Sequence, residues 1–207
     1  MKDLRQHLGE LLQGRVCLMG LGNVDCGDDG FGVRLAEELL EAGVPDVVVA
    51  GTTPEHCVGR IAGQGFDRLI FLDAVEFGAS PGSVALLNAR EICARYPQIS
   101  THKISLGVLA KWIRATSTTK VWLLGVQPQS IRPGETLTAT VSATRDLLRT
   151  LLLELNHVGT AAPSAGSGQA LGCSAERSLA TTRPPQGRAT PGRTAEGGCP
   201  HVEAVTV

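Results

Sequence analysis

Four short stretches of almost unbroken apolar residues, VCLMGL (16–21), VVVA (47–50), LIFLDA (69–74) and VWLLGV (121–126), stand out along the chain. A strand exposed on one face alternates polar with apolar side chains, whereas a strand covered on both faces has no need to. These runs therefore read as strands of a mainly parallel sheet with helices on both sides. A weaker run, SVALLN (83–88), follows the loop EFGASPG closely, which suits an antiparallel neighbour on a short connection. The expected fold class is α/β: three layers, with a twisted, mixed but mostly parallel sheet between helices.

The intervening segments carry helix signals. Asp28 or Asp29 is placed to cap a helix running through Arg34 to Leu40, with Val33, Ala36, Leu39 and Leu40 facing inward and Gly43 ending it. Thr53, Pro54 and Glu55 open a second helix that continues through Ile61. A third is expected from Ser100 or Thr101, with Leu106, Leu109, Trp112 and Ile113 at helical spacing, and a Leu-rich fourth from about Ser142 to His157. Ahead of the first strand, Leu4, Leu8, Leu11 and Leu12 mark a short amphipathic packing helix within residues 1–14.

Composition then divides the chain. From Gly159 onward Gly, Ala, Pro, Ser, Thr and Arg dominate, with only scattered Leu and Val, too little apolar area to offset the entropy of ordering. Residues 159–207 are read as a disordered tail and 15–158 as one domain; Cys199 and His201 within that tail are a chance pair rather than a metal site. A length of 207 residues accommodates one sizeable core. The net charge of −1 and pI near 6.5 offer no basic field, so neither nucleic acid nor a membrane surface is an expected partner.

No run approaches the roughly 20 apolar residues of a spanning helix, and the charged opening MKDLRQHLGELLQG lacks an apolar signal segment. A cytoplasmic monomer is expected. The cysteines at 17, 26, 57, 93, 173 and 199 show no CxxC pair, which points to free thiols in a reducing compartment, with Cys17 and Cys93 as core filler.

In open α/β sheets ligands bind beyond the carboxyl ends of the strands, and polar residues collect there. Strand one leads into Gly20-Leu21-Gly22-Asn23 and an acidic loop to Asp29, strand two into Gly51-Thr52-Thr53, strand three into Asp73, and the last into Gln127-Pro128. A dinucleotide site is disfavoured, because Asp25 stands where the third glycine of G-x-G-x-x-G belongs and Asp25, Asp28 and Asp29 would repel a pyrophosphate. Gly22 and Asn23 instead suit a tight turn with a polar handle. Of Asp28 and Asp29, one could cap the helix and the other be solvated, yet two adjacent acids exceed what capping requires. Asp73 ends an apolar strand, where a carboxylate is costly unless it has a task. With His102, Asp29 and Asp73 form a set of two hard carboxylates and one imidazole that suits nickel or zinc and leaves coordination positions open. Whether such a metal belongs to this chain or arrives with a substrate is not decided by these residues.

The segments GLGNVDCGDDGFGVRLAEEL, GTTPEH, FLDAVEFGASPG, STHKISLGVL and LLGVQPQSI, in that order, resemble the hydrogenase maturation endopeptidases over roughly residues 15–157. The Gln-Pro pair and the Asp-Asp-Gly form are most similar to the hydrogenase-3 type. The resemblance implies a twisted mixed sheet between helices, a phosphorylase/hydrolase-like fold. It also implies that Asp29, Asp73 and His102 contact nickel and are catalytic, with Asp29 standing where some members carry Glu. It implies cleavage of a C-terminal extension from a NiFe-hydrogenase large-subunit precursor after nickel insertion. The nickel is then expected to be carried by the precursor, with no organic cofactor, and Gly22, Asn23, Gly51, Thr52 and Gln127 are expected to bind substrate.

Three other readings compete. A cysteine hydrolase would use Cys26 with His102 as base and Asp73 as orienter, although the nearby aspartates oppose formation of a thiolate. Peptidyl-tRNA hydrolase shares the GLGN opening, but the resemblance stops after Asn23. A nickel-sensing maturation chaperone would bind the large subunit without cutting it.

Overall fold

The structure, a computed structural model, describes residues 3–95 and 105–159. In chain order the elements are α1 (Leu4–Leu11), β1 (Val16–Leu21), a 3-10 turn (Gly27–Gly30), α2 (Phe31–Glu41), β2 (Val47–Gly51) and α3 (Glu55–Ala62). Then follow β3 (Arg68–Ala74), β4 (Val84–Asn88), α4 (Ala89–Arg95), α5 (Leu106–Thr116), β5 (Lys120–Val126) and α6 (Ala139–Gly159). The strands form one sheet in the order β2-β1-β3-β5-β4, parallel except for β4, which runs antiparallel to β5. β4 is therefore antiparallel as expected, but it lies at the edge because β5 returns between it and β3.

The apolar runs split their side chains between two cores, as the two-residue period of a strand requires. Cys17, Met19, Leu69, Phe71, Val121 and Leu123 pack with Cys57, Ile61, Ile92, Leu109 and Ile113 of α3, α4 and α5. Leu18, Ile70, Leu72 and Leu124 pack on the other face with Leu8, Phe31, Leu35, Leu39, Leu148 and Leu152 of α1, α2 and α6. Both faces are covered, which is why the central strands read as continuous apolar runs. Each fully buried Leu or Phe among them contributes about 1.5–3 kcal/mol of transfer free energy.

Several local expectations change. α2 starts at Phe31 with no side-chain cap, because Asp28 and Asp29 lie in the preceding 3-10 turn and bond elsewhere. Leu40 is 43 % exposed, and Phe31 and Leu35 fill the inward positions instead. α5 begins at Leu106, where the Ser105 side chain accepts the Val108 N–H, rather than at Ser100 or Thr101; those two positions lie outside the described residues. α4 was not expected from apolar spacing. It is nucleated by a capping box: Asn88 Oδ1 accepts the N–H groups of Arg90 and Glu91, and Glu91 Oε2 accepts the Asn88 N–H at 2.7 Å. Apart from Gly159, the expected tail lies outside the described residues. No helix among the described residues is long and apolar enough to cross a membrane.

Candidate active site

Two buried carboxylates lie at the carboxyl ends of the neighbouring strands β1 and β3. Leu72 of β3 is in register with Gly20 of β1, so Asp73 lies one step further toward the rim, paired in register with Gly125 of β5. Asp29 is fixed to the end of β1 from the other side: its Oδ2 accepts the N–H of Asn23 at 2.8 Å. The connection needs glycine at 22. Its φ is +119°, and a Cβ there would stand 1.7 Å from the Asp29 carbonyl oxygen. The first turn of α2 is drawn equally close, since a Cβ on Gly32 would lie 1.9 Å from the Leu72 carbonyl oxygen and 2.6 Å from that of Leu21. Small residues at these contacts seat the acidic turn directly on the ends of β1 and β3.

Both acids are buried, Asp29 at 3 % and Asp73 at 2 % exposure. The second oxygen of Asp29, Oδ1, is buried and has no hydrogen-bond partner among the described residues. A buried carboxylate oxygen left in that condition costs free energy that a cation or a proton donor arriving from outside recovers. Carboxylate oxygens are donors that suit a divalent metal. Among the described residues no three His, Cys, Asp or Glu side chains cluster closely enough to hold a metal ion. The expected third member, His102, lies outside the described residues.

Asp28 has the opposite environment. It is 0 % exposed and its carboxylate is saturated by donors from a distant segment: Oδ1 accepts the Thr138 N–H at 2.7 Å, and Oδ2 accepts those of Gln129 at 2.8 Å and Ser130 at 3.1 Å, with the Thr138 hydroxyl at 3.0 Å. The ambiguity between the two aspartates is thereby resolved. Neither caps α2 and neither is solvated; one latches a loop and the other keeps an oxygen available.

The remaining expected substrate contacts divide. The Gly22 N–H donates to the Gly51 carbonyl at 3.2 Å, tying the ends of β1 and β2, and Thr52 is exposed beside them. Asn23 is half-buried; its Nδ2 donates to Cys26 Sγ at 3.2 Å and its Oδ1 accepts the Asp25 N–H at 3.0 Å. Gln127, also expected to bind substrate, is buried. Its Oε1 accepts the N–H groups of Phe77 at 3.0 Å and Ala79 at 3.3 Å, and its Nε2 donates to the Pro128 carbonyl at 3.3 Å, so this buried amide shapes the loop after β3. Cys17, the candidate core filler, is buried, and burial pushes its thiol up to about 12.

An open depression of about 590 Å³ flanks the acidic turn, lined by Gln129, Ser130, Ile131, Arg132, Glu135 and Thr138. Another of about 570 Å³ lies at the opposite end of the sheet, where Arg90, Arg114 and Lys120 converge. The former is lined by Gln129, Ser130 and Thr138, which bond Asp28; neither lining includes Asp29 or Asp73.

Comparison with known proteins defines the class as a peptidase. The model of the family described as hydrogenase maturation protease matches residues 33–154. The hydrogenase 2 maturation protease of Escherichia coli (strain K12) is 34 % identical over 137 residues, covering 62 % of this chain and 82 % of the relative. The hydrogenase 3 maturation protease of the same strain is 30 % identical over 116 residues, covering 55 % and 73 %. The crystal structure of the NiFe hydrogenase maturation protease HycI from Thermococcus kodakarensis KOD1 superposes with a TM-score of 0.65 at 31 % identity, over 73 % of this chain and 99 % of that one. The chain belongs to the hydrogenase maturation protease family. The family match begins after the acidic turn and spans positions 73 and 102.

Proposed function

We propose that this protein is an endopeptidase that removes a C-terminal extension from the large-subunit precursor of a NiFe hydrogenase once the precursor carries nickel. The observation that supports this most directly is the buried Oδ1 of Asp29, unpartnered among the described residues, with Asp73 at the end of the adjacent strand, in a chain of this family. Nickel is part of the substrate. Asp29 and Asp73, completed by His102, receive it and so bring the scissile peptide against the rim, and a precursor without metal lacks the handle. Hydrolysis adds water across the peptide bond: the water gives up a proton as its oxygen joins the carbonyl carbon, and the departing nitrogen takes one. The carboxylates are the groups that carry that proton, which makes the chemistry aspartic-type and metal-dependent. Gly22, Asn23, Gly51 and Thr52 form the floor along which the substrate lies. We place the reaction in the cytoplasm, carried out by a monomer; the free thiols Cys17, Cys26 and Cys93 suit that reducing compartment.

The test is mass spectrometry of a nickel-loaded precursor after incubation with the wild-type protein and with His102→Ala. The wild type releases the extension and the variant does not. Binding without release would favour the nickel-sensing chaperone reading, and full release by His102→Ala would remove that residue from the site.

A further inference from the structure

We propose that Asp28 is a positioning residue: it latches the loop 129–138 against the acidic turn, and that loop is the wall along which the substrate peptide lies beside Asp29. The proposal rests on the protease reading for its substrate. Four donors converge on one carboxylate, three of them backbone N–H groups from both ends of the loop. The backbone is sewn to the same turn at three further points: the Gly27 N–H donates to the Glu135 carbonyl at 3.1 Å, the Asp28 N–H to that of Ser130 at 2.8 Å, and the Gly134 N–H to that of Asp25 at 2.7 Å. Without the carboxylate the loop would leave several donors without an acceptor. With it, three residues that line the open depression, Gln129, Ser130 and Thr138, are held on Asp28, the chain neighbour of Asp29, and the lining also includes Ile131, 48 % exposed. An exposed isoleucine on a fixed loop suits an apolar side chain of an extended peptide.

The chemistry demands a carboxylate, because every contact is a donor. Asparagine is isosteric, yet its amide nitrogen would face either the Thr138 N–H or the three donors on Oδ2, so Asp28→Asn turns one acceptor into a repulsion. Loop amides at Gln129, Ser130 and Thr138 should then exchange at least about tenfold faster with solvent, and KM for the precursor should rise about tenfold with a smaller change in kcat. Thr138→Val removes only the hydroxyl and should raise KM a few-fold, while Thr138→Ser, which restores it, should match the wild type. Hydrogen exchange and steady-state cleavage of nickel-loaded precursor by the full chain read both effects. A folded Asp28→Asn protein with wild-type KM, or with only kcat reduced, would overturn the proposal; if that variant does not fold, Thr138→Val with an unchanged KM overturns it. Wild-type protein that cuts no precursor would instead defeat the protease reading, and the exchange measurement still tests the latch.

Discussion

Asp29 and Asn23 are joined by a hydrogen bond from the Asn23 N–H to Oδ2 at 2.8 Å, while Oδ1 of the same carboxylate is buried without a partner among the described residues. One oxygen thus holds the turn, and the proposed function assigns the other to the incoming substrate. Asp29→Asn can keep its carbonyl oxygen on the Asn23 N–H and place an amide nitrogen where Oδ1 stood. We expect the variant to fold with a melting temperature close to that of the wild type, since the bond to Asn23 is kept, and cleavage of loaded precursor to fall by about 100-fold or more. Thermal melts run beside cleavage assays check this, and retained cleavage would remove Asp29 from the site.

Gly22→Ala acts on the same turn through the backbone. At φ +119° with an Asp29 oxygen 1.7 Å from the new methyl, the residue cannot be accommodated without moving the turn. A loss of about 3 kcal/mol or more is expected, seen as a fall of roughly 10 °C in melting temperature. Activity should fall further than the folded fraction does, because Asp29 moves with the turn. A variant as stable and active as the wild type would contradict the close approach.

Cys26 is half-buried and takes a hydrogen bond from the Asn23 side-chain amide at 3.2 Å. Cys26→Ser retains an acceptor there, so cleavage should stay within about twofold of wild type. A loss of two orders of magnitude would instead revive the cysteine-hydrolase reading.

Cys17 gives the chain an alkaline limit. Below its ordinary value of 9.0 the thiol keeps its proton whether folded or unfolded; above it the unfolded chain releases the proton while the buried thiol, pushed up to about 12, does not. The unfolded state then binds fewer protons, and stability falls as pH rises through that interval. Urea midpoints measured near pH 8 and near pH 11 should fall less for Cys17→Val than for the wild type, and equal falls would show that this thiol contributes nothing.

Much of this was legible in the chain because it depends on local pattern. The runs ending at Leu21, Ala74 and Val126 announce doubly covered strands, and the polar residues that follow them mark the rim. What was not legible depends on partners far away in sequence. Asp28 and Asp29 are indistinguishable until Gln129 and Thr138, 101 and 110 residues from Asp28, are brought to the first of them. Gln127 looks like a rim residue but turns inward to backbone N–H groups 48 and 50 residues earlier. The helix α4 is a different kind of omission, because the Asn88 and Glu91 capping pair that starts it was present in the sequence.

The most direct measurement of the central claim is a comparison of two precursors, one loaded with nickel and one free of it, incubated with equal amounts of the wild-type protein. The account predicts that the loaded large subunit is shortened at its C-terminus and the metal-free one is not. Equal cleavage of both, or of neither, would contradict it.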